Sequence, residues 1–185
     1  MMKKLFFCFS VAAFASCNNA TDPKVASATG DDSTKTTMAS VTYPYEIAYS
    51  SQFEIGDQEQ AKKILEIWKS WDNGDLASTK DHFADSVTMN FADGSVMKGT
   101  RDSAMASGQA YRNSFKSVSS RVSAIIPLKS TDKNENWVCV WGTETHTDMK
   151  GKVDSVHFQE TWRMNSAGKT DFVYQYARVA TPKKL

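Results

Sequence analysis

The sequence predicts an α+β domain, a cone-shaped, curved antiparallel sheet with three helices from its N-terminal side packed on the concave face. Three observations lead there. Apolar residues recur at helical spacing in segments that end by Phe115, whereas beyond it the apolar period is two. Glycine-bearing turns divide that second half into long strands, Trp137–Asp148, Val153–Met164 and Thr170–Val179. Helices followed by a meander is the α+β order, and strands this long in so small a domain must curl strongly to bury one face.

The elements follow in order. Met1-Met2-Lys3-Lys4, the apolar run Leu5 to Phe14 and then Ala15-Ser16-Cys17 have the layout of a secretory signal peptide, residues 1–16. The apolar run is too short to cross a bilayer as a helix, which needs ~20 residues. Small residues ahead of Cys17 resemble a bacterial lipobox, which implies that the Cys17 thiol receives diacylglycerol. The expected product is an exported lipoprotein held at a membrane of the cell envelope, on its periplasmic or outer face. Residues 18–42 are rich in Asn, Ala, Thr, Asp and Ser, with almost nothing large and apolar to offset the entropy of ordering, so 17–42 reads as a lipidated cysteine and a tether. The rest, 43–185, is the length of one ordinary domain. Of the 3 cysteines, Cys8 leaves with the signal and Cys17 is consumed by lipid. Cys139 cannot form an intramolecular disulfide alone, and its run Trp137-Val138-Cys139-Val140-Trp141 marks it as a buried, inert residue. A net charge of +1 with no basic stripe gives no sign of a nucleic-acid partner.

Within the domain, Tyr43 to Ile55 alternates aromatic and polar residues and reads as an extended lead-in, kept off the middle of the sheet by Pro44. Asp57 can cap a first helix, with Gln60 at the reciprocal capping-box position; Ala61, Ile64, Leu65, Trp68 and Trp71 share one face and Gly74 ends it. Asp75 caps a short second helix with Leu76 and Phe83 inward. Asp85 at the start of the next strand reads as a cap or turn residue rather than a catalytic acid. Val87, Met89 and Phe91 lie on one side of that strand, Asp93-Gly94 signals a two-residue hairpin, and Ser95 to Lys98 returns. Thr100 can cap a third helix to about Phe115, with Ala104, Gly108 and Tyr111 on its stripe, and Val118, Val122, Ala124 and Ile126 alternate in the next strand.

These elements carry Trp71-Asp72-Asn73-Gly74-Asp75-Leu76, His82-Phe83-Ala84-Asp85-Ser86-Val87, Gly99-Thr100, and Trp162-Arg163-Met164 with Gly168-Lys169. In that order and spacing, from about Asp57 to Val179, they resemble the SnoaL-like branch of the nuclear transport factor 2-like superfamily. The resemblance implies the cone fold. It implies no single function, because the superfamily hosts enzymes, ligand binders and interaction modules alike.

Ketosteroid isomerases resemble the chain through Asn73-Gly74-Asp75-Leu76, Phe83-Ala84-Asp85, Gly99-Thr100 and Ala167-Gly168-Lys169. Carried along those anchors without gaps, that family's general-base aspartate falls on Phe91 and its oxyanion-hole tyrosine on Ile67. Only the third position, a protonated aspartate in the family, keeps a carboxyl, as Glu160. Abstraction of a proton beside a carbonyl needs a base within hydrogen-bond reach and a donor for the enolate oxygen, so isomerase activity is disfavoured.

The same alignment sets parity. With Glu160 pointing into the cone, Phe158, Trp162, Val173, Gln175 and Ala177 do so too, and Val140, Glu144 and His146 join them from the neighbouring strand. The expected pocket places Glu144, His146, Glu160 and Gln175 within walls of Trp68, Phe91, Tyr111, Phe158 and Trp162. No second histidine converges on it, so neither a metal nor a cofactor is expected. Alternatively, Glu144 and His146 lie solvated at the rim. Trp137, Trp141, Phe172, Tyr174 and Tyr176 share the opposite parity, and a continuous aromatic face points to a packed or homodimeric convex surface. Three readings stand side by side. The sequence favours a tethered module that binds a small, mostly apolar molecule oriented by Glu160. The others are an acid–base enzyme of hydrolase, dehydratase or isomerase type, using His146 as base with Glu160 or Glu144 as acid, and an assembly module working through the convex sheet.

Overall fold

The computed structural model describes residues 42–179. The expected signal sequence, Cys17 and the expected tether up to residue 41 lie outside the described residues. No helix among the described residues is long and apolar enough to cross a membrane.

Seven strands form one curved, mixed sheet in the order β1-β4-β5-β6-β7-β2-β3. They are β1 (Phe53–Ile55), β2 (Phe83–Asn90), β3 (Val96–Thr100), β4 (Phe115–Ser130), β5 (Glu135–Asp148), β6 (Val153–Met164) and β7 (Thr170–Val179). Helix α1 (Gln58–Asn73), a 3-10 helix (Leu76–His82) and α2 (Arg101–Arg112) complete the domain. The expected antiparallel sheet is corrected at one seam, where β2 runs parallel to β7. Parallel neighbours need a long crossover, and here the whole β3–β6 region intervenes, so no local turn signal could reveal the pairing.

Three hairpins share one device. The N–H of Phe91, Asp148 and Asn165 each donates to a carbonyl four residues on, at Ser95, Lys152 and Lys169, over 2.8–2.9 Å. Gly94, Gly151 and Gly168 take the left-handed position that closes each loop, with φ of 85°, 88° and 67°. These are three-residue loops, one residue longer than the two-residue turn expected at Asp93-Gly94.

Helix α1 begins as its sequence dictates. The Asp57 carboxylate accepts from the Glu59 N–H at 2.9 Å, and Gly74, with φ 73°, ends the helix in the left-handed conformation. Gln60 does not close the capping box, because its Oε1 is buried without a partner. Ala61, Ile64 and Trp68 sink into the core against Val138, Val140 and Trp162 of the sheet, and a fully buried aliphatic side chain of the size of Ile64 contributes roughly 1.5–3 kcal/mol. The second helix is a 3-10 helix with no side-chain cap from Asp75, and Phe83 already belongs to β2. The third stops at Arg112, short of Phe115, because Ser114 turns back, its N–H and Oγ both donating to the Tyr111 carbonyl. Of the lead-in only Phe53–Ile55 is a strand, pairing with the edge of β4.

Curvature is built where β4 crosses under α1. The β4–β5 register shifts between Val122 and Ala124, opposite Gly142, and bulges bend the strand that carries them. A Cβ on Gly142 would lie 2.6 Å from Cζ3 of Trp68 and 2.9 Å from the Arg121 carbonyl, so only glycine lets the indole seat on the sheet. Gly142→Ala is expected to cost about 1–3 kcal/mol through overpacking, measured by urea unfolding. A loss below about 0.5 kcal/mol, the scatter of an ordinary surface substitution, would show that α1 yields.

Candidate functional site

Between the concave sheet, α1 and α2 lies a cavity of about 160 Å³. Its walls are mostly apolar and aromatic, with Trp68, Trp71, Phe83, Phe158 and Trp162 the largest contributors. Helix α2 supplies Ala104, Met105 and Gly108. A Cβ on Gly108 would meet Leu76 Cδ2 at 2.9 Å, so glycine sets how closely this helix covers the hollow. Hydroxyls of Ser70, Thr79 and Ser120 also reach the wall, and those of Ser70 and Thr79 are bonded to each other at 2.9 Å.

Glu160 is the deep polar group, with 7% of its surface exposed. Strand β6 aims it inward between two strands, its residue pairing with Val140 on β5 and Gln175 on β7. Trp68 Nε1 donates to Oε2 at 2.7 Å and Trp162 Nε1 to the same oxygen at 3.0 Å. Gln175 Nε2 donates to Oε1 at 2.9 Å. Burial pushes the carboxyl above its ordinary range and the Glu144 charge adds to this, while the N–H groups of Gln175, Trp68 and Trp162 pull the other way without reversing it.

Glu144 holds the outer end. Its residue pairs with Val156, four positions along the strand from the Val140–Glu160 pair, about 13 Å of β-structure, yet both side chains line one hollow. Trp71 Nε1 donates to its Oε2 at 2.8 Å, and His146 Nδ1 lies 3.1 Å from Oε1. Trp68 and Trp71, three residues apart on one helix face, therefore each bind one of the two acids.

The end of α1 is fixed from two directions. Arg112 is buried and donates to the carbonyls of Trp71 at 2.6 Å, Asp72 at 2.8 Å and Phe115 at 3.2 Å, a cation placed at a helix C-terminus. The Asp72 carboxylate accepts from the Ser120 N–H at 3.0 Å and its hydroxyl at 2.8 Å, tying the helix to β4.

Of the residues expected in the pocket, Trp68, Glu144, Phe158, Glu160, Trp162 and Gln175 line the cavity. Three do not, and are corrected. Phe91 belongs to the loop closure of the β2–β3 hairpin, and Met89 takes the wall position on β2. Tyr111 is 63% exposed and packs outside, edge-on to Phe115 at 5.3 Å and 6.0 Å from Trp71. His146 is drawn outward, its ring 4.5 Å from Phe115, and its side chain touches Glu144 rather than the hollow. Neither half of the solvated-rim alternative fits, since the side chains of Glu144 and His146 are 12% and 17% exposed. Trp71, Met89 and Ser120 were missed as lining residues, although each carried a signal: Trp71 its place on the helix stripe, Met89 the parity of Phe91 and Ser120 the parity of Val118 and Val122.

Among the described residues no group of three or more His, Cys, Asp or Glu could hold a metal ion. Asp85 is almost wholly exposed, 3.5 Å from Arg101. Cys139 is half-buried on the outer face rather than buried, since its strand parity sets it with Trp137 and Trp141, its Sγ 3.7 Å from Thr161 Oγ1. A shallow outer groove of about 500 Å³ is lined by Tyr49, Phe53, Trp137, Phe172, Tyr174 and Arg163 among others. Arg163 there is already held by Asp171 at 3.0 Å. The smaller concave cavity is the better site because helices and sheet enclose it around a buried carboxyl.

No protein-family model and no curated protein matches the sequence. Solved structures do match the fold. AusH from Aspergillus nidulans is 16% identical, with a TM-score of 0.54 over 70% of this chain and 90% of its own. An NTF2-like protein of unknown function from Burkholderia pseudomallei is 16% identical, with a TM-score of 0.53 over 64% and 90%. SalBIII, an epoxide hydrolase/cyclase-like enzyme with a role in pyran ring formation in the polyether salinomycin, is 16% identical, with a TM-score of 0.52 over 65% and 92%. The domain has the nuclear transport factor 2-like fold.

The upward shift at Glu160 has a definite pH sign. A carboxyl whose pKa is higher folded than unfolded contributes stability that is present below the unfolded pKa and lost as pH rises through the folded one. Glu160→Gln keeps an acceptor for the indoles and removes the charge, so in urea melts it should gain on wild type as pH rises above the ordinary glutamate pKa of about 4.3. Glu160→Leu should be the less stable of the two at neutral pH, because each orphaned indole N–H costs about 1–3 kcal/mol. A difference between wild type and Glu160→Gln that stays constant with pH would contradict the assignment.

Proposed function

We propose that this nuclear transport factor 2-like domain is a binding module that holds one small, mostly apolar molecule in its concave cavity, and that it is carried outside the cytoplasm on lipid attached to Cys17. The observation that supports the reading most directly is the cavity itself, apolar-walled and closed at its deep end by a carboxyl held by three N–H donors. Few convergent polar groups in an apolar hollow orient a ligand rather than merely admit it. Size narrows the choice: about 160 Å³ is close to an apolar cavity of about 150 Å³ that takes up benzene. A single ring fits this hollow, and a four-ring steroid exceeds it. The fold neighbour described as an epoxide hydrolase/cyclase-like enzyme is in keeping with an organic occupant.

Catalysis through His146 has less support, because a base must reach its proton and this imidazole faces Phe115 and Glu144 outside the lining. Strand β2 offers no base in its place, since its cavity-lining residues Phe83 and Met89 carry no titratable group.

Two measurements test the proposal. The purified chain should show a thermal shift with single-ring aromatic compounds and none with steroids, since a ligand that binds only the folded state raises its stability. A panel without any shift would remove the binding reading. Labelled palmitate should enter the wild-type chain and not Cys17→Ser; equal labelling of both would remove the anchor.

A further inference from the structure

The cavity is lopsided in charge. Among the described residues its only ionisable lining groups are Glu144 and Glu160, and no lysine, arginine or histidine among them lines it. Every donor on Glu160 is neutral, two indoles and an amide. A buried carboxylate without a cation is costly even when hydrogen-bonded, and here a second carboxylate shares the same hollow.

Acceptor capacity is also left over. A carboxylate offers about four lone-pair sites. Glu160 uses three, and Glu144 uses two, for Trp71 and His146. His146 touches Glu144 at the outer end and does not line the hollow. The rest of the wall is rich in aromatic rings, Trp68, Trp71, Phe83, Phe158 and Trp162, surfaces that suit either an apolar ring or an organic cation.

We propose that the occupant is a small organic cation, a protonated amine on a single-ring apolar body, held between Glu160 and Glu144; this rests on the binding role proposed above. The ammonium donates to the remaining acceptor positions, offsets one negative charge and leaves the apolar body to the aromatic wall. An organic acid would bring further negative charge into a hollow lined by two acids. A neutral alcohol would hydrogen-bond but leave the carboxylates uncompensated. A hard metal ion needs about six converging oxygens, and among the described residues no group of three or more His, Cys, Asp or Glu is placed to hold one.

The test is calorimetric titration of the full-length chain at neutral pH with benzylamine, benzyl alcohol and benzoate, a near-isosteric cation, neutral and anion. Benzylamine is expected to bind at least about tenfold more tightly than benzyl alcohol, the ratio that a hydrogen bond to a charged group gives, with benzoate unbound. Glu160→Gln should collapse the amine-to-alcohol ratio, and Glu144→Gln should lower it, which keeps the test decisive should one variant fail to fold. Benzyl alcohol binding as tightly as benzylamine, benzoate binding, or an unchanged ratio in the folded variants would overturn the cation and leave the binding module standing. No heat from any of the three would overturn both.

Discussion

One indole organises the concave face. Trp68 reaches from α1 to the sheet, where its ring lies over Gly142 and its N–H ends on Glu160. A side chain at residue 142 would hold the helix off the sheet, and an apolar residue at 160 would strand the indole N–H. Beneath the contact, the β4 bulge opposite Gly142 turns the longest strand, so the place where the sheet bends is also the place where the helix docks. Core, curvature and site meet in this one contact.

The same contact explains why the hollow is polar at its deep end. An apolar residue at 160 would avoid the desolvation of a carboxyl, which outweighs what the N–H donors of Gln175, Trp68 and Trp162 return to its charged form. What the carboxyl supplies instead is an acceptor that fixes two indoles, and thereby the rotamers of two of the three tryptophans in the wall. Trp71 and Glu144 repeat the arrangement at the outer end. A hollow lined by rings in fixed positions loses little conformational freedom when filled, and that is where affinity for a ligand of few atoms must originate.

Much of this was legible in the sequence, and the rest was hidden for identifiable reasons. Strands β6 and β7 could be read to the residue, because period-two alternation and the glycines of their turns agree. Parity then carried Phe158, Glu160, Trp162 and Gln175 to the cavity together. Phe91 failed because loop length, not strand period, decides where β2 stops being a wall, and one extra residue in the hairpin moved the boundary. His146 has the parity of Glu144, but the ring of Phe115 sits beside it, and contact across elements is invisible to spacing. The parallel β2–β7 seam was hidden for the same reason. Several residues that carried the family resemblance are structural: Asp72 ties α1 to Ser120, Gly74 ends the helix, and Asp85 stands in solvent.

Arg112 shows how such structural residues still serve the site. A buried guanidinium commonly meets a carboxylate, yet this one gives its bonds to the carbonyls of Trp71, Asp72 and Phe115. The partial negative charge of the helix end thus meets the cation, and none of the acids in the cavity is consumed. Had Arg112 instead paired with Glu144, the hollow would have carried its own counter-charge and lost its demand for one. Pinning the last turn of α1 from behind keeps Trp71 on Glu144 and spends the guanidinium on carbonyls rather than on either acid, so the rigidity of the site and the lack of an arginine partner for its acids share one origin.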